Sequence, residues 1–173
     1  MNSLSARASR GAVAAFVVAA ALAATPVASA SPAPSAQTSV VAARSPEKRA
    51  EIRGLRQQVV DLAVGRMGST YVTGAAGPDA FDCSGLVMWV YQQLGYSLPH
   101  FSGAQMDVAV PVTGKLRRGD LLFYGPDGSQ HVSIYIGKGM QVGANNPRTG
   151  IVVDSVEGTY WSERYVGAGR LIR

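Results

Sequence analysis

The chain of 173 residues is poor in the side chains that do most chemistry: it holds one cysteine, two histidines and only 16% charged residues. A single cysteine excludes an internal disulfide framework of the kind small exported domains often use. No cysteine and histidine cluster has zinc-ligand spacing, and neither a glycine-rich nucleotide motif nor an internal repeat occurs. The sequence therefore calls for no metal and no organic cofactor. Long apolar runs are absent too, except for "GAVAAFVVAAALAA" from Gly11 to Ala24. That run follows Arg7 and Arg10 and precedes "TPVASA", the three parts of a secretory signal, with cleavage expected after Ala30. It is shorter than the roughly 20 residues needed to span a bilayer, so no stable membrane insertion is expected after cleavage. What remains is an exported, wall-associated or secreted chain with one unpaired thiol, Cys83.

Residues 31 to 46, "SPAPSAQTSVVAARSP", lack apolar periodicity and read as a flexible linker rich in Ser, Ala and Pro. Residues 47 to 173 have the size and apolar content of one domain. Loss of Arg7 and Arg10 with the signal lowers the formal net charge from +5 to +3. The densest basic stretch is Arg44, Lys48, Arg49, Arg53 and Arg56, with no aromatics interleaved. It reads as the solvated face of a helix, not as a nucleic-acid surface. Mild basicity suits an anionic cell-wall polymer.

From Glu47 to Met67 the apolar residues Ile52, Leu55, Val59, Leu62, Ala63 and Met67 recur three and four apart, which predicts an amphipathic helix ending near Gly68. A turn-rich loop, "STYVTGAAGPDAF", leads to Asp82, a plausible N-cap for a second helix, "CSGLVMWVYQQLG", that Gly95 would end. Short strands follow: "DLLFY", "HVSIYIG", "MQVGA" and "GIVVDSV". Helices first and antiparallel strands afterwards, without crossover helices, predict an α+β fold.

Cys83 then falls in the first turn of a helix, where unsatisfied N–H groups and the helix dipole favour negative charge and should lower the thiol pKa toward neutrality. Position alone leaves two readings, a nucleophile or a small buried core residue. A nucleophilic thiol needs a base that can also protonate a leaving amine. His131 is the better candidate, because it opens "HVSIYIG", with His131, Ser133 and Tyr135 on one face and Val132, Ile134 and Ile136 on the other. The small Ser133 is expected to let a helix pack on the His131 face and bring Cys83 near the imidazole. His100, in "SLPHFSG", reads as a loop or groove residue. A third polar group should orient the base, and on "MQVGANN" either Gln141 or Asn145 shares the face that would meet it.

Taken in order, "FDCSGLV", "LPHFSGAQ", "GDLLFY", "HVSIYIG", a glycine-flanked strand and a late "YW" resemble the NlpC/P60 family of cell-wall cysteine peptidases, from about Gln57 to the C-terminus. The resemblance implies a papain-like α+β fold in which the cysteine tops a helix packed on an antiparallel sheet carrying the histidine. It implies peptidoglycan stem peptides as substrate, cut between D-γ-glutamyl and diaminopimelate or lysine. Cys83 would be the nucleophile and His131 the base, with Tyr71 holding substrate or oxyanion and Asp82 and Ser84 lining the substrate cleft. The departure is Gly143, which stands where the family usually has a second histidine or a polar substitute. The orienting role would then be vacant, shifted to Gln141 or Asn145, or filled by water or a backbone carbonyl, giving an active but slower enzyme. Two rivals stay open: a non-catalytic wall-binding module, and thiol chemistry on another wall substrate, as in an amidase or acyltransferase. Residues 47 to 66 are also placed to cover the cleft as an inhibitory helix.

Overall fold

The structure, a computed structural model, describes residues 45–173. The expected signal and nearly all of the expected linker lie outside the described residues. The last two linker positions do not: Ser45 caps helix α1 (Pro46–Val64), its Oγ accepting from the Lys48 N–H at 3.2 Å. Proline suits the first helical position, where the missing N–H would have no partner. The helix ends at Val64, before the expected Gly68, and the Gly68 N–H bonds the Ile151 carbonyl instead.

Ile52, Val59 and Ala63 of α1 are buried in the main core. Each large apolar side chain buried there stabilises by roughly 1.5–3 kcal/mol, a large share of a domain's total of about 5–15. The helix is thus an integral part of the fold.

Strands β1 (Thr70–Tyr71) and β2 (Ala80–Phe81) form a short parallel pair that delivers the chain to helix α2 (Cys83–Gln92). Leu86, Val87 and Val90 bury its apolar face. After α2, where a loop was expected, the chain makes helix α3 (Ser102–Val108). Seven residues are too few to show a periodic stripe. Gln105 holds it in place, its amide donating to the carbonyls of Ser84 at 2.9 Å and Pro99 at 2.8 Å.

The sheet comprises β3 (Val110–Pro111), β4 (Leu121–Tyr124), β5 (His131–Gly137), β6 (Met140–Asn146), β7 (Gly150–Ser155) and β8 (Tyr165–Arg170). Their order is β3-β8-β4-β5-β6-β7, with every pair antiparallel. Leu121, Phe123, Val132, Ile134 and Val142 point into the core shared with α1 and α2. Leu122, Tyr124 and Ala168 point the other way, toward Leu116, Tyr135 and Trp161. The fold is α+β, as the order of elements predicts.

Candidate active site

Asp82 builds the start of α2. Its carboxylate accepts from the Gly85 N–H at 2.7 Å and the Ser84 hydroxyl at 3.1 Å, and from the Gly74 N–H at 2.7 Å in the preceding loop. The His100 ring lies 2.9 Å from the same carboxylate. Burial pushes the Asp82 pKa up, but the hydrogen bonds from Gly85, His100 and Gly74 outweigh it and hold the group below the usual carboxylate range. Asp82 and Ser84 therefore flank Cys83 with their polar atoms turned to each other and to the loop. Gly85 has no room for a side chain, since a Cβ there would lie 2.1 Å from the Ala75 carbonyl oxygen.

Cys83 is a free, half-buried cysteine at the first position of α2. Burial pushes its thiol pKa up, the backbone N–H of Val132 opposes this, the Asp82 carboxylate adds to the rise, and the N–H groups of Ser84 and Cys83 pull down. The net direction is up, against the expectation from helix position. The helix end does supply N–H groups, yet losing solvent costs a thiolate more than they return.

His131 leaves β5 on the face that helices do not cover. The helix layer packs on Val132 and Ile134, while Ser133 sits under Tyr124, so the expectation that a helix would pack over Ser133 is reversed. The strand β5 alternates as its sequence predicts; which face the helices cover is decided by the larger apolar set, Val132 and Ile134 with their neighbours Phe123 and Val142. On the opposite face the imidazole stacks on Trp161, ring centroids 4.2 Å apart and planes 10° apart, and packs against Tyr124 at 5.6 Å. Buried and without an acidic partner, the ring has its pKa driven down to about 3. Burial thus biases both groups toward their neutral forms.

The third position is open. A Cβ on Gly143 would lie 3.3 Å from His131 Nε2, 3.2 Å from Ser133 Cβ and 3.2 Å from Asn145 Oδ1. Nε2 thus faces the position that the missing side chain would occupy, and among the described residues it is buried with no hydrogen-bond partner. Gln141 is engaged elsewhere: its Oε1 accepts from the hydroxyls of Tyr124 and Ser133, and its amide donates to the Ser155 carbonyl at 3.2 Å. Burial pushes Tyr124 up to about 12, which keeps its hydroxyl protonated as a donor. Asn145 differs. Its Nδ2 donates to Asp154 Oδ2 at 2.8 Å, which leaves Oδ1 bordering the space above Gly143. Asp154 Oδ1 is buried without a partner, like His131 Nε2.

Tyr71 pairs with Phe81, two residues before Cys83, and its ring packs on the main core. Its hydroxyl has no hydrogen-bond partner among the described residues. Trp161 and Asp154 were not singled out from the sequence as site residues. Only the "YW" pair at Tyr160 and Trp161 hinted at the first, because a tryptophan in a loop far along the chain carries no register with β5.

A peptidase-like thiol and imidazole on a helix and an antiparallel sheet define the class, and the comparisons agree. The model of the NlpC/P60 family matches residues 68–170. This chain belongs to the NlpC/P60 family. A probable endopeptidase of Corynebacterium glutamicum is 41% identical over 128 residues, 72% of this chain and 60% of that protein. The peptidoglycan endopeptidase RipA of Mycobacterium tuberculosis is 45% identical over 83 residues, 47% of this chain and 17% of that protein. The chain thus spans less than two thirds of the length of these relatives. Among solved structures, the peptidoglycan hydrolase RipB of M. tuberculosis matches with a TM-score of 0.65 and 31% identity, covering 72% of this chain and 68% of that one.

Proposed function

We propose that the chain is an exported peptidoglycan endopeptidase that cuts stem peptides, at the D-γ-glutamyl bond to diaminopimelate or lysine, with Cys83 as nucleophile and His131 as base. The observation that carries it is a free thiol at the first position of α2 and a buried imidazole at the first position of β5, the strand on which α2 packs, with the ring Nε2 facing Gly143. Nδ1 is then the nitrogen left to serve the thiol. Relatives named peptidoglycan endopeptidase and peptidoglycan hydrolase support the substrate class.

Attack transfers the thiol proton to His131 as the sulfur bonds the carbonyl carbon, and the oxyanion takes N–H groups at the start of α2, that of Cys83 among them. The imidazolium then protonates the departing amine as the C–N bond breaks. Water, giving its proton to His131, cleaves the thioester and restores the thiol. Tyr71, whose hydroxyl is uncommitted, is the residue assigned to substrate or oxyanion. Asp82 and Ser84 shape the cleft by holding the loop and the helix start. Asn145 is the acceptor assigned to orient His131, and Gln141 is not.

The orphaned Nε2 favours one rival, a module that binds wall without turnover. Digestion of purified peptidoglycan and defined stem peptides, with Cys83→Ala and His131→Ala alongside and products read by mass spectrometry, separates the two. Cleavage abolished by both substitutions supports the peptidase; wall binding with no product from the folded wild type overturns it.

A further inference from the structure

The basic stretch of α1 is more than a solvated face. Arg49, Ile52, Arg53, Arg56 and Gln57 of α1 line a cavity of roughly 700 Å³ together with Arg117 and Arg118. No acidic and no aromatic side chain lines it. Among the described residues none of the five arginines has an ion-pair partner. The nearby carboxylate of Asp120 is already occupied, by Arg170 Nε at 2.7 Å and Nη2 at 2.6 Å and by the Arg117 N–H at 2.7 Å. Residues 1–44 contain no Asp or Glu, so the preceding segment brings no counter-charge.

Arg56 makes this more than a surface patch. It is only 6% exposed, its guanidinium bonds the Ile172 carbonyl, and its Nε is buried without a partner. Burial lowers its pKa, Arg170 and Arg117 lower it further, and Asp120 only partly offsets them. Buried cations are ordinarily paired, because an unpaired one costs several kcal/mol. A guanidinium fork matches oxyanions, and phosphate in particular, with two parallel hydrogen bonds.

The cavity lies away from the thiol. Arg118 donates to Gln57 at 2.7 Å and lies against Gly137, whose Cβ would meet its Nε at 3.1 Å. Gly137 ends β5 and His131 begins it, so the two sites sit about 20 Å apart along the strand. Arg49, Arg53 and Arg56 step along α1 over about 10 Å, which suits successive charges on a chain better than one small anion.

We propose that this cavity binds the phosphate groups of a phosphodiester polymer lying along α1. The absence of a lining aromatic argues against single-stranded nucleic acid, which binds by stacking as well as charge. A polymer of the envelope is the source within reach of an exported chain, so its location rests on the proposed function; the anion chemistry rests on the cavity alone. Bound there, the polymer anchors the domain while the thiol, at the other end of β5, remains open to stem peptides.

The test is thermal melting and titration calorimetry of the full chain at matched ionic strength with pyrophosphate, poly(glycerol phosphate) or anionic phospholipid vesicles, against chloride. The polymer should raise the melting temperature beyond chloride, pyrophosphate should do so more weakly, and vesicles should not. The double variant Arg49→Gln/Arg53→Gln alters two exposed residues outside the thiol site. It should weaken polymer binding at least about tenfold and leave stem-peptide hydrolysis unchanged. Arg56→Gln should abolish the shift if it folds, and the exposed pair decides the matter if it does not. An equal shift in the double variant, or none beyond chloride, removes the site. Binding to vesicles alone, or to pyrophosphate but not polymer, overturns the polymer. Because binding is read without turnover, it can fail or hold independently of the peptidase reading.

Discussion

The imidazole of His131 lies flat against the indole of Trp161, centroids 4.2 Å apart. The stack completes the burial that drives the histidine pKa down to about 3. Trp161→Ala should therefore raise the His131 pKa toward 6.5, read as the titration of its ring protons by NMR, and lower kcat as the ring loses its support. Trp161→Phe should restore much of both. A titration midpoint unmoved in the alanine variant would show that the indole contributes nothing to the shift.

The same burial links stability to pH. Unfolded chains take up a proton at His131 near pH 6.5 while the folded chain does not until about 3. Between those values the unfolded state binds more protons, so stability falls as pH falls, by up to about 1.4 kcal/mol per pH unit for one such group. Asp82, whose folded pKa is lowered, acts in the same sense but only below its unfolded value, near 4. Urea midpoints at pH 7 and pH 5 should differ in the wild type and converge in His131→Gln.

A neutral thiol predicts slow alkylation. The rate of Cys83 reaction with iodoacetamide should climb with pH to beyond pH 9, because burial raises the thiol above its ordinary value of 9.0. A rate already at plateau by pH 7 would mean a resting thiolate and imidazolium pair, as the helix-dipole argument alone suggests.

Asn145 and Gln141 should separate by kind of effect. Asn145→Ala is expected to lower kcat by about 10- to 100-fold with little change in KM, while also removing the donor to Asp154. Gln141→Ala leaves the hydroxyls of Tyr124 and Ser133 without their acceptor, and should cost about 1–3 kcal/mol of stability per orphaned group. An unchanged kcat in Asn145→Ala would remove the special role of Asn145.

Two glycines should respond differently to alanine. In Gly85→Ala the new Cβ would be forced to 2.1 Å from a backbone oxygen, so the loop at Ala75 must move, at about 1–3 kcal/mol. In Gly143→Ala the new Cβ would meet Asn145 Oδ1, Ser133 Cβ and His131 Nε2 at 3.2–3.3 Å, contacts that require shifts of only tenths of an ångström. It should fold normally, with activity reduced by displacement of His131 and Asn145. Melting curves and stem-peptide turnover check both.

Much of this was legible along the chain because it depends on near neighbours. The N-cap at Asp82, the helix that opens with Cys83, the alternation of "HVSIYIG" and the absence of a side chain at 143 are matters of one to seven residues. Strand β8, "YVGAGR", was not foreseen, since its two glycines dilute the period of two and the sheet supplies the order instead. Helix α3 is too short to announce itself.

The sequence by itself determined which groups are available: one thiol, one strand histidine, a row of arginines and no third side chain at 143. Tertiary structure alone decided their electrostatic state. Burial by elements distant in sequence makes the thiol and imidazole neutral, Trp161 closes over His131 from a separate loop, and Arg117 and Arg118 meet α1 across some sixty residues. Solvent exclusion and long-range charge are properties of packed surfaces, and no local pattern of residues encodes them.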